Sequence, residues 1–143
     1  MVETDYGMQI LWPDHCVQGT RGAAFHDELD VDRAELIIRK GFRPEIDSYS
    51  AFFENDRSTP TGLAGYLRER EIETLYIAGL ALDFCVYWSS IDGKKQGFET
   101  VVVEDASRAI DTEGSLDDAL ANMRRAGVEI ASCEDVRSLE AAR

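Results

Sequence analysis

TLYIAGLALDFCVYWSSIDGKKQGF, residues 74–98, joins an apolar run to a segment with a cysteine near its start. The run at 74–80 has the length and β-branched content of a buried parallel strand, which predicts a central strand covered on both faces. A helix should follow, with Asp83 at its N-cap or in its first turn and Gly97 just after its end. This stretch therefore predicts a strand, a tight turn and a helix whose first turn contains Cys85.

Cys85 would become reactive at such a position. Unpaired backbone N–H groups and the positive end of the helix dipole stabilise a thiolate at a helix N-terminus. The N–H of Cys85, with that of Ala81 or Leu82, could also hold the oxyanion that forms when a thiolate attacks a carbonyl. A buried, inert cysteine is the alternative interpretation. Ligands bind at the carboxyl ends of strands in open α/β sheets, so the sequence leaves both interpretations of Cys85, nucleophilic and inert, open.

Composition limits the classes of partner. The 143 residues suffice for one domain with a substantial core, and 28 acidic against 15 basic residues give a formal charge of −13. This charge repels phosphate backbones and anionic lipids, so we expect neither a nucleic acid nor a membrane as partner. No stretch approaches the roughly 20 apolar residues of a membrane span, and no export leader is evident. Three cysteines without CxxC spacing fit a soluble protein of the reducing cytoplasm.

The first 34 residues lack a sustained helical or strand period and are predicted to be irregular. They include WPDHC at 12–16. His15 could bind a metal through its neutral imidazole, and Trp12 could form a flat wall against an aromatic ligand. The alternative is that Trp12 fills the core and His15 lies on the surface.

A short strand is predicted at 34–39, and Lys40 follows its carboxyl end. Lys40 could hold a neighbouring thiolate or carboxylate by its charge, or it could simply be solvated. A long loop follows at 42–58. Its aromatic residues, Tyr49 among them, indicate a pocket lid or a partner contact.

The remaining elements alternate between helix and strand. Thr59 and Pro60 should start a helix over 61–70, and Ser115 should cap a later one. The other predicted elements are a strand at 99–104, a helix at 116–126 ended by Gly127, a strand at 128–132 and a helix from 134. This alternation predicts an α/β fold, a parallel β-sheet with helices on both faces joined by right-handed crossovers.

Four motifs in order carry a resemblance to a known family. WPDHCVQGTRGAAFH, RKGFRPEIDSYSAFF, GLALDFCV and VVEDASRAID resemble the nicotinamidase branch of the isochorismatase-like cysteine hydrolases, from about residue 6 to the C-terminus. The resemblance implies a Rossmann-like three-layer α/β/α fold. It also implies hydrolysis of nicotinamide to nicotinate and ammonia through a cysteine thioester, a reaction of NAD salvage and pyridine nucleotide biosynthesis.

The resemblance also implies roles for individual residues. Cys85 matches the nucleophile, Lys40 the catalytic lysine, and Ala81 the oxyanion-hole residue that follows a cis peptide bond. His15 matches a ligand of the divalent metal, commonly zinc. Trp12 matches an aromatic residue that flanks the pyridine ring, and Tyr49 matches another residue near the pocket.

Two family motifs are absent from the sequence. The D-x-Q-x-x-F motif would supply a catalytic aspartate on a first strand, and the D-x-H pair would supply two further metal ligands. We therefore expect a single domain over 1–143, incomplete at its N-terminus, with the first two strands missing. Metal binding by this chain alone is expected to be weak or nil, and its activity only a trace.

Other functions stay open on the sequence. The chain could hydrolyse another small amide or carbamoyl compound, or it could be a non-catalytic remnant or binding module. The expected partner is a small-molecule substrate, nicotinamide, and the sequence leaves homo-oligomerisation undecided.

Overall fold

The structure is a computed structural model that describes residues 1–141, with side chains through 138. The chain divides into two compact units, Met1–Arg39 and Lys40–Arg143. Within residues 1–141, no helix has the length and apolar character needed to cross a lipid bilayer.

The first unit begins with a small hairpin. Strands β1 (Val2–Thr4) and β2 (Gly7–Gln9) pair antiparallel. Gly7 has a φ of 119°, which a side chain would disfavour, and the Thr4 hydroxyl donates a hydrogen bond to its carbonyl at 2.6 Å. The prediction of irregular chain was wrong here, because three-residue strands are too short to show an alternating pattern. Beyond the hairpin, this unit has single 3₁₀ turns at Arg21–Ala23 and Val31–Arg33.

The strand predicted at 34–39 does not form in the described chain. Leu36 and Ile37 are exposed there. Arg39 instead donates to the carbonyl of Ala23 at 3.3 Å and lies 5.4 Å from the centroid of the Phe25 ring. Apolar, β-branched content favours a strand only where a neighbouring strand offers hydrogen-bond partners, and this segment pairs with none of the described strands.

The second unit is a parallel sheet with helices, which confirms the predicted α/β class. The strands lie in the order β3-β4-β5. Their bounds are β3 Thr74–Leu80, β4 Glu99–Arg108 and β5 Glu129–Ala131. The helices are α1 Leu63–Glu69, α2 Tyr87–Lys95, α3 Ser115–Arg125 and α4 Cys133–Ala141.

Strand β4, not β3, is the central strand. Residues 100–103 are all buried, and successive strand residues point to opposite faces, so both faces of β4 are covered. In β3, Tyr76 and Leu80 are 45% and 74% exposed. The prediction that this strand is central and covered on both faces was wrong for the described sheet, because β3 pairs only with β4.

The apolar core lies between β4 and the helices. Its buried residues are Leu82, Val86, Ile91, Val102, Ala119, Met123 and Val128. They come from β4, α2, α3, the turn before α2 and, for Val128, the position before β5, so the core fixes the position of the turn before α2.

Helix starts were predicted less well than helix ends. α1 begins at Leu63 rather than 61, after Gly62 with a φ of 94°. The Thr59 hydroxyl does not cap it, because it donates to Asp56 at 2.6 Å. Gly97 and Gly127, with φ of 93° and 79°, follow α2 and α3 in the left-handed conformation predicted for them.

Strand β4 is also longer than the predicted 99–104. Its pairing with β3 shifts between Ile77↔Val102 and Gly79↔Ser107, so β4 carries extra residues in a bulge. The Ser107 hydroxyl accepts the N–H of Gly79 at 3.2 Å and donates to the Val103 carbonyl at 2.9 Å. The pairing therefore resumes after the bulge and carries β3 to its end at Leu80.

Two glycine substitutions should test the packing of α2 against the sheet. A methyl group at Gly93 would lie 3.2 Å from Leu75 and 3.3 Å from both Phe52 and Thr100. We expect Gly93→Ala to lower the free energy of unfolding by about 1–3 kcal/mol, because these neighbours are tightly packed. Gly65, exposed in α1, has nothing within 4 Å of an added Cβ. Gly65→Ala should raise the free energy of unfolding by about 0.5–1 kcal/mol, because alanine has a higher helix propensity than glycine. Urea unfolding would measure both changes in the free energy of unfolding. A stabilising effect of Gly93→Ala would contradict the prediction and show that the neighbouring side chains move aside at little cost.

Candidate active site

A wide turn connects β3 to α2 and contains Cys85. The Leu80–Ala81 peptide bond is cis, as the resemblance implies. The Ala81 carbonyl accepts the N–H groups of Phe84 at 3.2 Å and Val86 at 3.0 Å, so Leu82–Val86 forms a π-helical turn. Cys85 thus lies in a π turn that continues into α2, not in the first turn of an α-helix as predicted. Such turns occur often at functional sites.

Asp83 lies in the first turn of this π-helical segment, one of the two positions predicted for it, and anchors the turn rather than capping it. Its side chain is buried, and it accepts hydrogen bonds from the N–H groups of Ile110 at 3.0 Å and Asp111 at 2.8 Å, and from the Ser115 hydroxyl at 2.6 Å. Burial raises the pKa of Asp83, but the hydrogen bonds from Ser115, Ile110 and Asp111 outweigh it and leave the pKa below its usual range. The sequence offered no sign of this link beyond the position of the aspartate before the cysteine.

Lys40 and Cys85 are brought together. The Lys40 ammonium donates to the Ser48 carbonyl at 2.6 Å and lies 3.6 Å from the Cys85 sulfur. Reactive cysteines in proteins often lie next to lysine, arginine or histidine side chains. Two residues 45 positions apart in sequence thus form one candidate nucleophile site.

A pocket of about 340 Å³ opens beside the pair. Apart from Lys40, Cys85 and Ser89, its lining is largely apolar: Ala51, Phe52, Leu63, Leu67, Leu75, Tyr76, Ile77, Ala78, Leu80 and Val86. Apolar walls with a few convergent polar groups are typical of small-molecule sites.

The aromatic loop at 42–58 packs inside the second unit. Tyr49 is half-buried, and its ring meets the Phe84 ring edge-on at 5.6 Å between centroids. Phe52 is buried and stacks on Phe98 at 6.0 Å. Much of the loop is therefore fixed by core contacts, which argues against a freely moving lid.

Trp12 and His15 belong to the first unit. Trp12 is half-buried, and His15 is exposed with Nδ1 2.7 Å from the Pro13 carbonyl oxygen. A carbonyl only accepts, so in the neutral tautomer that fits this contact Nδ1 carries the proton and Nε2 the lone pair. His15 can therefore offer one nitrogen to a metal.

The residues present do not fit a complete metal site. No group of three or more histidine, cysteine, aspartate or glutamate side chains within the described part of the chain could hold an ion. A zinc site normally has three or four protein ligands. His15 alone falls short of that number, so no chemical step is assigned to a metal here.

The other two cysteines lie in different surroundings. Cys16 is exposed, and Cys133 is half-buried with its N–H 2.8 Å from an Asp105 oxygen. A hydrogen bond from the Cys133 thiol to Asp105, followed by desolvation and the charge of that carboxylate, raises the pKa of Cys133. Cys133 is thus disfavoured as a nucleophile.

Limited alkylation with iodoacetamide should therefore modify Cys85 ahead of Cys16 and Cys133. Lys40→Met should slow the reaction of Cys85 about tenfold, because the neighbouring positive charge is lost. Lys95→Met, an exposed lysine at the end of α2, is the matched control. Asp105→Asn should speed the reaction of Cys133, since its pKa would fall. Peptide mapping by mass spectrometry measures each site, and faster labelling of Cys133 than of Cys85 in the unmodified chain would contradict the assignment.

The chain is similar in sequence and in structure to known proteins. Residues 4–135 match the isochorismatase domain model. The chain is 54% identical over 135 residues to a nicotinamidase of Acinetobacter baylyi, covering 94% of the chain and 63% of that protein. It is also similar to the structure of a nicotinamidase and pyrazinamidase of Acinetobacter baumanii, with a TM-score of 0.92, 54% identity and coverage of 94% of the chain and 65% of that structure.

A third relative is a pyrazinamidase of Pyrococcus horikoshii, whose structure is a complex with zinc. Its TM-score is 0.72 at 34% identity, with coverage of 85% of the chain and 63% of that structure. The chain thus spans less than two thirds of the length of all three relatives. Because the family match extends over residues 4–135, the chain belongs to the isochorismatase family.

Proposed function

We propose that the chain carries the nucleophile site of a nicotinamidase, an amidohydrolase that converts nicotinamide to nicotinate and ammonia. The observation that carries the proposal is the 3.6 Å approach of the Lys40 ammonium to the Cys85 sulfur at the carboxyl end of a parallel strand. The names of the relatives at 54% identity support nicotinamide as the substrate. The apolar pocket beside Cys85 offers space for a small ring.

The resemblance implies a reaction through a covalent thioester, which we propose for this site. The Cys85 thiolate, stabilised by Lys40, attacks the carboxamide carbon, and a C–S bond forms while the carbonyl oxygen becomes an oxyanion. The N–H groups of Ala81 and Cys85 hold this oxyanion. The C–N bond then breaks, ammonia leaves after taking a proton, and water hydrolyses the thioester to nicotinate and free Cys85.

The proton transfers need a general base. The resemblance assigns them to an aspartate in a motif that this sequence does not contain. In the described structure the polar contacts of the Lys40 ammonium go to Ser48 and Cys85, and neither offers a carboxylate. The chain therefore contains the nucleophile and its cationic partner without the family's base.

Tyr49 and Trp12 are proposed as substrate-binding residues. Tyr49, which the resemblance implies to lie near the pocket, packs edge-on against Phe84, one position before Cys85. For Trp12, the resemblance implies a different role, in which it flanks the pyridine ring.

His15 is proposed as one ligand of a divalent metal, which in the whole enzyme would be zinc. The zinc in the pyrazinamidase of Pyrococcus horikoshii supports the metal's identity. The free Nε2 of His15 suits this role, but the further ligands are absent from the described residues.

We therefore expect the 143-residue chain to bind zinc weakly or not at all. One imidazole gives too few ligands for a tight site. Equilibrium dialysis would measure the binding, with His15→Ala as the matched variant and the pyrazinamidase of Pyrococcus horikoshii as the positive control. A stoichiometric site of sub-micromolar affinity that disappears in His15→Ala would contradict this expectation.

We also expect the chain to release ammonia from nicotinamide at no more than a trace rate. Loss of one member of a nucleophile–base pair costs on the order of 10⁴ to 10⁶ in kcat, because the two groups act together. An ammonia assay beside the Acinetobacter baylyi nicotinamidase would measure the deficit. Turnover comparable to that enzyme, abolished by Cys85→Ala, would show that another group serves as the base. Other small carboxamides in the same assay test the alternative substrate class.

A further inference from the structure

Two adjacent serines of α2 are buried but make different contacts. Ser89 and Ser90 are 6% and 0% exposed. Each hydroxyl donates to a carbonyl of the preceding turn, Ser89 to Cys85 at 2.6 Å and Ser90 to Tyr87 at 2.7 Å. The Ser89 oxygen also accepts the N–H of Ala51 at 2.9 Å. Ser89 thus connects the aromatic loop to the backbone of Cys85.

This connection closes a ring of contacts around the candidate nucleophile. Ser48 precedes Ala51 by three positions, and its carbonyl accepts the Lys40 ammonium at 2.6 Å. The same ammonium lies 3.6 Å from the Cys85 sulfur. Lys40 therefore lies beside the sulfur, and Ser89 ties the segment that holds Lys40 to the Cys85 carbonyl.

The loop end of this link is itself fixed. The Thr61 hydroxyl donates to the Ala51 carbonyl at 2.6 Å, so both polar groups of the Ala51 backbone are engaged. Other contacts also join the loop to this region: the Tyr49 ring meets the Phe84 ring, and Arg57 forms an ion pair with Asp92 and lies over the Trp88 ring. None of these contacts is made by Cys85 itself.

We propose that Ser89 is a positioning residue that sets the separation between the Lys40 ammonium and the Cys85 sulfur. It acts through two hydrogen bonds, one accepted from the Ala51 N–H and one donated to the Cys85 carbonyl, and not through the reacting sulfur. The inference rests on the proposed function, in which Cys85 is the nucleophile and Lys40 its cationic partner.

Removal of the hydroxyl should release both ends of the link. In Ser89→Ala the Ala51 N–H loses its acceptor and the Cys85 carbonyl loses a donor. A single hydrogen bond is worth about a fivefold change in an equilibrium. We expect Ser89→Ala to slow iodoacetamide alkylation of Cys85 about fivefold, because Lys40 no longer stabilises the thiolate from a fixed position.

Ser90→Ala is the matched control. It removes an adjacent buried hydroxyl with the same kind of helix contact but no link to the loop, and alkylation of Cys85 should stay within about twofold of the unsubstituted chain. Ser89→Thr keeps the hydroxyl and should retain most of the rate. Circular dichroism confirms folding, and if Ser89→Ala does not fold, the isosteric pair Ser89→Thr and Ser89→Val provides the same comparison.

A double-mutant cycle with Lys40→Met separates positioning from general stability. In the unsubstituted chain and in Ser90→Ala, Lys40→Met should slow alkylation of Cys85 about tenfold. In the Ser89→Ala background, Lys40→Met should slow alkylation of Cys85 by less than about threefold, because the lysine is already displaced. The inference would be overturned if Lys40→Met slowed alkylation of Cys85 about tenfold in Ser89→Ala as well. It would also be overturned if Cys85 were alkylated at equal rates in Ser89→Ala and Ser90→Ala. An unsubstituted chain in which Lys40→Met has no effect would instead refute the proposed function.

Discussion

The π-helical turn after β3 is held by backbone hydrogen bonds, two of which go to one acceptor, the Ala81 carbonyl. Because that carbonyl binds the N–H groups of Phe84 and Val86, the chain widens before it enters α2 and Cys85 is placed beside Lys40. The turn is held on one side by Asp83, which binds the segment before α3. The turn is also held by α2, because the Ser89 hydroxyl of that helix donates to the Cys85 carbonyl. The sheet, the core and the aromatic loop all contribute to fixing this one piece of backbone.

The sequence predicted the elements whose signals are local. The bounds of β3, the left-handed Gly97 and Gly127, and the parallel α/β class follow from apolar runs and glycine positions within a few residues. The resemblance named Lys40 and Cys85, which the structure brings together. Their contact joins residues 45 positions apart, and no periodicity in the chain could have revealed it.

The errors occur where distant contacts decide the structure. The segment at 34–39 has strand composition but no strand partner in the described chain, and it is held by contacts of Arg39 instead. Aspartate is a common helix-capping residue, yet the carboxylate oxygens of Asp83 bind groups that lie 27 to 32 positions later in the chain. The Ser89 link to Ala51 spans 38 positions. A side chain that can bond locally or at long range gives the same sequence signal in both cases.

The anchoring of Asp83 also has a consequence for amide hydrogen exchange. Residues 109–114 form neither helix nor strand, and Ile110 is exposed at the surface, so fast exchange would ordinarily be expected there. The N–H groups of Ile110 and Asp111, however, are bound to a buried carboxylate that stays ionised because its pKa is lowered. Their protection therefore reports on the integrity of the turn that carries Cys85. It should weaken only in acid, when Asp83 takes up a proton and the two amides lose a charged acceptor.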